Sequence, residues 1–295
     1  MDPHLAQCRA EAARHPIVLM VHDDTTLDFS THRRLQGAGR VGDDRGTGFL
    51  AHSCLAVLPS GETLGLAHQT IWARPPKGVT RQTRESAVWA DTVATIGRPP
   101  TGSRFVSVGD RGADVFEHLE RVRDSGWDAV VRAAQDRRLV TAGRSLTALR
   151  TARAMGASTV LTRQGEVVVC VAWRDLELLP PRNGAAGRTP IRVQGVRVWN
   201  GTLEWLLLTT RPVESLDQAL EIIAWYTRRW IVEELCCAAL RVTRREKPAA
   251  GPSSGSWRRP IGWSRCSALW PSSPFVSWDC AMPPGAMARA RSAIS

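Results

Sequence analysis

Two short apolar runs of this chain each end in an aspartate. Residues 16–24 read Pro-Ile-Val-Leu-Met-Val-His-Asp-Asp, and residues 105–110 read Phe-Val-Ser-Val-Gly-Asp. Continuous apolar runs of this length are typical of strands that are buried on both faces. Open α/β sheets place their sites at the carboxyl ends of such strands. The two runs therefore predict a central sheet with Asp24 and Asp110 at the ends of its strands.

The rest of the first half alternates between strand-like and helix-like patterns. After the first run, two strands joined by a Pro-Ser-Gly turn are followed by helical spacing, the second run, an amphipathic stretch and a further strand. The predicted segments are strands at 48–58, 62–72 and 127–133 and helices at 86–96 and 113–123. The order β-β-β-α-β-α-β predicts a mixed sheet of the α/β class.

The pattern changes between Leu139 and Leu208. Runs rich in Val, Thr and Trp, such as 165–173 and 191–199, alternate with Pro, Gly and Arg turns. This pattern predicts an antiparallel β insertion, after which helical spacing returns over Leu216–Leu235. The expected units are an N-terminal remnant (1–15), the first part of the core (16–138), the insertion (139–208), a helical end of the core (209–240) and a tail (241–295).

Charge is unevenly distributed along the chain. The sequence has 39 Lys and Arg against 28 Asp and Glu, a formal net charge of +11, which favours an acidic partner, with nucleic acid the first candidate. Residues 241–295 alone contain 9 basic and 2 acidic residues, four of the twelve Trp and seven of the eighteen Pro. Because these Trp residues follow neither a strand nor a helix period, the tail is expected to be aberrant, irregular and disordered.

Several classes of protein are excluded at this level. No apolar run approaches the ~18 residues of a membrane span, and the charged N-terminus does not resemble a signal peptide. The seven cysteines are scattered, without a CxxC pair or zinc-ligand spacing, so we interpret them as reduced thiols. The sequence therefore predicts a cytoplasmic protein without a membrane partner.

Three acidic residues at structured boundaries suggest a metal site. Asp24 and Asp110 end predicted strands, and Glu233 lies on the last predicted helix with Tyr226 and Arg229 at i, i+3, i+7 spacing, within about 60° of arc. Converging carboxylates suit hard divalent cations, and two such ions ~4 Å apart promote phosphoryl transfer. An alternative is that each aspartate caps or forms a turn and that the helix face is solvated.

Six segments in order carry a family resemblance. They are Asp24-Thr-Thr26, the segments 68–75, 85–89, 110–114 and 205–216, and Tyr226-Thr-Arg-Arg-Trp-Ile-Val-Glu-Glu234. Together, over 16–235, they resemble the DDE transposases of the insertion-sequence-four family, the Tn-five type with the Tyr-Arg-Glu-Lys signature. The resemblance implies an RNase H-like core interrupted by a β insertion ahead of the helix that carries the catalytic glutamate.

The same resemblance implies an activity and a cofactor. Asp24, Asp110 and Glu233 match the catalytic triad, which holds two Mg²⁺ ions, with Mn²⁺ as a substitute. The implied reaction is two-metal hydrolysis of a DNA phosphodiester, followed by hairpin formation, hairpin resolution and strand transfer. The implied partners are transposon ends, target DNA and a second copy of the chain, with association to the bacterial nucleoid.

Four further residues match DNA-contacting positions of the family. Tyr226 and Arg229 match signature positions near the site, and Arg132 matches a DNA-contacting arginine. Trp205 matches the tryptophan used with a base displaced during hairpin formation, a role that stacking at ~1–3 kcal/mol makes reasonable. Two alternatives stay open: Trp205 is a core residue of its strand, and Arg132 is a solvated residue at a strand edge.

The chain departs from the family pattern in three places. First, Leu240 stands where the signature Lys is expected. Second, only about fifteen residues precede Pro16, where an end-recognition domain is expected. Third, the Trp- and Pro-rich tail replaces the helical region that pairs two subunits.

With 2 Lys against 37 Arg, the gene is expected to be GC-rich, and out-of-frame GC-rich DNA yields such a tail. The hypothesis is a frameshift near residues 235–250 and a defective transposase with impaired dimerisation; an intact in-frame codon pattern through the tail would contradict it.

The sequence is compatible with two other functions. The first is a non-catalytic inhibitor or interaction partner of an intact transposase, which predicts co-purification with that relative. The second is a stand-alone RNase H-like nuclease, which predicts cleavage of substrates without transposon ends. A paired-carboxylate glycosidase is a weaker interpretation, because it explains neither the Tyr/Arg face nor the basic charge.

Overall fold

The order of strands along the chain produces one large mixed sheet. The computed structural model describes residues 3–32, 34–42, 46–75, 85–162, 165–183 and 187–232. Within these residues ten strands are present: β1 (Ile17–Asp28), β2 (Gly39–Val41), β3 (Gly46–Val57), β4 (Thr63–Trp72), β5 (Arg104–Gly109), β6 (Asp128–Arg132), β7 (Gly156–Thr162), β8 (Gly165–Leu178), β9 (Ile191–Trp199) and β10 (Glu204–Thr209). Five helices accompany them: α1 (Pro3–Ala12), α2 (Ala87–Ile96), α3 (Phe116–Asp124), α4 (Ser145–Arg150) and α5 (Leu216–Thr227).

Parallel pairs lie at the centre of the sheet and antiparallel pairs on both sides. The strand order is β2-β3-β1-β5-β6-β10-β9-β8-β7, and β4 also pairs with β3. The pairs β1–β5 and β5–β6 are parallel, whereas β1–β3, β3–β4 and every pair from β6–β10 to β7–β8 are antiparallel. The predicted fold class, a mixed α/β sheet interrupted by antiparallel strands, is confirmed.

The apolar run of β1 is continuous because both faces of the sheet are covered. Val18 and Met20 point into the first core, which contains the buried side chains of α1 to α4, and Leu19 and Val21 point into the second core, which contains those of α5. This alternation follows from the period of two along a strand. The strand therefore has an α1–α4 side and an α5 side.

The antiparallel insertion extends the central sheet. Strand β10 pairs with β6 on one side and with β9 on the other, so hydrogen bonds continue without interruption from β1 to β7. Leu149 of α4 and Leu176 of β8 belong to the same core as Trp89 of α2. The predicted insertion is thus antiparallel, as expected, and it shares the hydrophobic core of the first half.

Two features were not predicted from the sequence. The N-terminal segment, expected to be a remnant, contains α1, whose Arg9 side chain donates to the carbonyl oxygens of Ile96 and Arg98 at 2.5 and 2.8 Å. The first strand continues beyond Asp24 to Asp28, because β3 pairs with it as far as Gly48 opposite Asp28. The tail 241–295 lies outside the described residues.

The helix predicted over Leu216–Leu235 begins as expected, because Ser215 caps α5 by accepting a hydrogen bond from the Gln218 amide. However, α5 ends at Thr227, and residues 228 and 229 form a tight turn in which each amide donates to the carbonyl three residues earlier. Residues 230–232 are again helical, so the predicted helical spacing is present in the described residues apart from this turn, which changes the arc calculated for an ideal helix. Among the described residues no helix combines the length and the apolar character that a bilayer span requires.

Candidate active site

Asp24 and Asp110 lie at the same edge of the central sheet. The parallel pairing of β1 and β5 ends with Val21 opposite Val108, and β5 itself ends at Gly109. Asp24 lies three residues beyond the last pair on β1, and Asp110 lies two residues beyond it on the neighbouring chain segment. Since adjacent strands lie about 4.8 Å apart, Asp24 on the continuing strand β1 lies beside the point where the chain leaves β5 toward Asp110.

A buried histidine contacts the carboxylate of Asp24. In the antiparallel register, Asp24 lies directly opposite His52 of β3, and the Asp24 Oδ1 atom is 2.6 Å from His52 Nδ1. The His52 side chain is fully buried, whereas the Asp24 side chain is 49% exposed. The carboxylate is therefore anchored on one side and open to solvent on the other.

The anchor continues into the protein as a chain of hydrogen bonds. His52 Nε2 lies 3.1 Å from His22 Nδ1, and the Cys54 Sγ atom lies 3.6 Å from His22 Nε2. Burial lowers the pKa of His22 well below its usual value, and the neighbouring rings of His52, His118 and His68 lower it further. Burial also raises the pKa of the Cys54 thiol, with a smaller contribution from Cys8. His22 is therefore neutral and Cys54 carries its proton.

These protonation states assign a direction to the hydrogen bonds. An ionised carboxylate only accepts, so His52 Nδ1 donates to Asp24. Every donor meets an acceptor if Cys54 Sγ–H donates to His22 Nε2 and His22 Nδ1–H donates to His52 Nε2. The chain then runs in one direction, from the buried thiol to the half-exposed carboxylate.

Asp110 begins a tight turn. Its Oδ1 atom accepts a hydrogen bond from the Gly112 amide at 2.7 Å, so it caps the short 3₁₀ turn Arg111–Ala113. The capping role that the sequence left open for this residue is thus present, and it involves one of the two carboxylate oxygens.

Trp89 of α2 packs against residues that position both aspartates. A Cβ atom on Gly109 would overlap the Ala113 Cβ atom and lie 2.9 Å from Trp89 Cζ3, and one on Gly112 would lie 3.1 Å from Trp89 Cζ2, so the indole packs closely against the backbone on either side of Asp110. The same indole packs edge-to-face against His52, with 4.7 Å between ring centroids. One rigid side chain therefore supports the anchor of Asp24 and the turn of Asp110.

A buried ion pair fixes the far end of the Asp110 turn. The fully buried Asp114 carboxylate accepts the amides of Ala134 and Gln135, each at 2.7 Å, and pairs with Arg137 at 2.7 Å. These bonds tie the loop after β5 to the loop after β6. Because the buried charge is paired and fully hydrogen-bonded, it gives the turn a fixed position.

Arg229 lies on the α5 side of the sheet. Its Nη1 atom is 3.8 Å from Asp23 Oδ1, and the two side chains are 12% and 16% exposed. The preceding Arg228 donates from Nε to the carbonyl oxygen of Pro59 at 2.9 Å. The turn after α5 is therefore attached to β1 and to the β3–β4 turn, directly ahead of Glu233, which lies outside the described residues.

Trp205 and Tyr226 are brought together in the second core. Trp205 is 4% and Tyr226 is 3% exposed, and their rings meet edge-to-face at 5.4 Å, with Trp230 at 6.1 Å from Trp205. Arg132 is half-buried at the end of β6, and its Nη2 atom donates to the Glu204 carbonyl oxygen at 3.1 Å. The buried position of Trp205 agrees with the alternative that it is a core residue of its strand.

The donor set fits a hard divalent cation. Asp24 and Asp110 are carboxylates at one edge, and each is oriented through one oxygen atom. Among the described residues no three His, Cys, Asp or Glu side chains are arranged to hold a metal ion, and the third predicted ligand, Glu233, is outside that part of the chain. The two carboxylates alone therefore form an incomplete site.

The sequence assigned no role to His52, Trp89 or Asp114. A histidine in an apolar strand, glycines on both sides of Asp110 and a second aspartate four residues later were the available signals. None of them identifies its partner, because the partners come from other elements of the fold.

Comparison with known protein families places the chain in one of them. The family model described as "Transposase DDE domain" matches residues 65–247, more than half of the chain, and the chain belongs to this family. Asp110 and Glu233 lie within the matched residues, and Asp24 precedes them.

A solved structure also resembles this chain. The piggyBac transposase in a synaptic complex with hairpin DNA is 7% identical, covers 78% of this chain and has a TM-score of 0.40. The chain spans 42% of the length of that protein.

Proposed function

We propose that this chain acts on DNA as a DDE transposase that hydrolyses a phosphodiester at a transposon end and transfers the strand. Asp24, Asp110 and Glu233 would hold two Mg²⁺ ions, with Mn²⁺ as a substitute. The family membership supports the class of reaction, and the formal charge of +11 supports a polyanionic substrate.

The observation that carries the proposal is the shared support of the two aspartates. Trp89 lies against His52, which anchors Asp24, and against the backbone on both sides of Asp110. Two carboxylates held at one sheet edge, with one of them 49% exposed, would present oxygen donors toward a common region outside the sheet.

The chain contributes position and charge to the chemistry. When bound, the ions would activate the attacking oxygen and stabilise the leaving oxygen. Asp24 supplies an oxygen donor whose orientation is fixed by His52, and Asp110 supplies one whose backbone is fixed by Gly112 and the Asp114 ion pair. Fixed donors lower the cost of assembling the site.

Arg229, Arg132, Tyr226 and Trp205 are proposed as further DNA-contacting residues. Arg132 is half-buried, while Arg229 faces Asp23 across 3.8 Å. Trp205 and Tyr226 are 4% and 3% exposed, so stacking on a displaced base would require Trp205 to leave the second core. The finer proposals include an impaired homodimer and a defective activity, the latter because Leu240 removes a positive charge from the signature.

Nicking of DNA tests the function. The full chain is incubated with Mg²⁺ or Mn²⁺ and a supercoiled plasmid that carries the gene with its flanking DNA. We expect Asp24→Asn and Asp110→Asn to reduce nicking by about 100-fold or more, because the ions stabilise the transition state by several kcal/mol.

The matched control is Asp28→Asn, which makes the same change on the same strand. Asp28 lies at the end of β1, where its Oδ1 atom accepts from the Ser30 amide at 2.9 Å, away from Asp110. Nicking that survives Asp24→Asn, or that is lost equally in Asp28→Asn, would contradict the proposed site.

A further inference from the structure

We propose that His52 is a positioning residue that orients the Asp24 carboxylate for binding of a divalent cation. The proposal rests on the proposed function, since it concerns a ligand of the same site. It starts from a direct contact: Asp24 and His52 are opposite each other on β1 and β3, and their side chains meet at 2.6 Å.

The His52 ring is fixed on three sides. Nδ1 faces Asp24 at 2.6 Å, Nε2 faces His22 at 3.1 Å, and the ring packs against Trp89 at 4.7 Å between centroids. The side chain is fully buried. A ring with both nitrogen atoms bonded and one side packed has no second orientation that preserves these contacts, so the proton on Nδ1 points at Asp24.

Asp24 needs such an anchor because of its place in the sheet. Its side chain is 49% exposed and lies beyond the end of β5, where no strand pairs with that side of β1 in the described residues. An unanchored carboxylate there would occupy several rotamers. A charge-assisted hydrogen bond to Oδ1 selects one of them and directs the second oxygen away from the sheet, as outer partners of metal-binding carboxylates do.

The His22–Cys54 pair extends the anchor inward. His22 Nδ1 lies 3.1 Å from His52 Nε2, and when His22 is the donor of this pair, His52 keeps its proton on the nitrogen atom that faces Asp24. His22 is itself stacked on Trp89, with 5.6 Å between ring centroids. The orientation of the exposed carboxylate is thus determined by residues of β1, β3 and α2 that never reach the solvent.

Two substitutions of His52 that resemble each other in shape test the inference. His52→Asn keeps an N–H donor near the position of Nδ1, and His52→Leu has nearly the same branched shape without a donor. Both variants lose the contact with His22 equally. The difference between them therefore isolates the hydrogen bond to Asp24.

The readout is binding of Mn²⁺ to the full chain, measured by electron paramagnetic resonance of the free ion. We expect His52→Leu to weaken Mn²⁺ binding by about 10- to 100-fold, the usual effect of removing an outer partner, and His52→Asn to bind within a few-fold of the wild type. Circular dichroism melting confirms that the variants are folded, and His118→Gln controls for a general effect of altering the buried histidines, because His118 does not contact Asp24.

The outcomes separate the two proposals. If the wild type binds Mn²⁺ no better than Asp24→Asn, the proposed site itself is wrong. If binding depends on Asp24 but is equal in His52→Leu and His52→Asn, or is weakened as much by His118→Gln, the site stands and the positioning role of His52 is overturned.

Discussion

At the scale of single residues, the interior behind Asp24 contains an unusual group of titratable side chains. His22, His52 and His118 surround Trp89, with ring centroids 4.7 to 5.8 Å from that of the indole. All three histidines are fully buried. The Nε2 atom of His118, on α3, lies 3.1 Å from the hydroxyl oxygen of Ser107 on β5. Burial lowers the pKa of both His22 and His118, because the charged ring is poorly solvated there, and this makes the fold sensitive to pH.

Acid should therefore destabilise the fold through His118. Burial, with a smaller contribution from His52, lowers its pKa to about 3, and a backbone hydrogen bond to Trp89 partly opposes this shift. Between pH 3 and the unfolded pKa of about 6.5, the unfolded chain binds one more proton at this residue, so the free energy of unfolding rises with pH by about 1.4 kcal/mol per pH unit. The contribution is fully present above pH 6.5 and is lost progressively as the pH falls toward 3.

Urea denaturation at pH 5 and pH 7 measures this effect. His118→Gln keeps a polar group near Nε2 for the Ser107 hydroxyl and removes the titration. The wild type should lose about 2 kcal/mol more than this variant between pH 7 and pH 5. An equal loss in both proteins would show that His118 is not buried as a neutral ring.

At the scale of elements, aromatic contacts attach α5 to the insertion strand β10. Trp205 of β10 packs edge-to-face on Tyr226 near the end of α5 and on Trp230 after the turn. Tyr226 belongs to the second core with Ile222 and Ile223 of the same helix. The segment that leads to Glu233 is therefore positioned by a side chain of the insertion.

Trp205→Ala should be strongly destabilising. Removing a buried aromatic side chain costs about 3–5 kcal/mol, because it removes apolar contacts and leaves a cavity. The comparison variant is Trp199→Ala on the adjacent strand β9, where the indole is only half-buried under Arg197. We expect less than half the loss for Trp199→Ala in chemical denaturation; a larger loss than for Trp205→Ala would contradict the core position of Trp205.

At the scale of the whole molecule, the first half and the insertion form one sheet and share a core. Strand β10 pairs with both β6 and β9, and the first core joins residues of α1 to α4 with Leu178 of β8 and Ile191 of β9. No boundary separates the hydrophobic clusters of the two parts in the described residues. Such continuity predicts that they unfold together.

Unfolding should accordingly occur in one transition. Hydrogen exchange followed by mass spectrometry in increasing urea should give the same midpoint for peptides from β1 and β5 as for peptides from β8 and β9. The control is the exposed segment 34–37, which should exchange independently of urea. Separate midpoints for the two strand groups would show that the insertion is an independent unit.

Much of the fold could be predicted because apolar periodicity is local. The runs that end at Asp24 and Asp110, the hairpin of β3 and β4 and the start of α5 at Leu216 follow from strand alternation, turn residues and a serine cap. The end of β1 could not be predicted, since its last four residues are held by pairing with β3. The turn at Arg228 could not be predicted either, because Arg228 bonds to the distant Pro59 carbonyl.

The chain itself determined its α/β class, its basic charge and the two apolar runs that end in Asp24 and Asp110, because these depend on composition and on the spacing of neighbours. Only the tertiary structure decided that His52 anchors Asp24, that Trp89 lies beneath both aspartates and that Trp205 is buried on Tyr226. Each of these contacts joins residues at least 20 positions apart. Such partners are selected by the packing and register of separate elements, which no local pattern specifies.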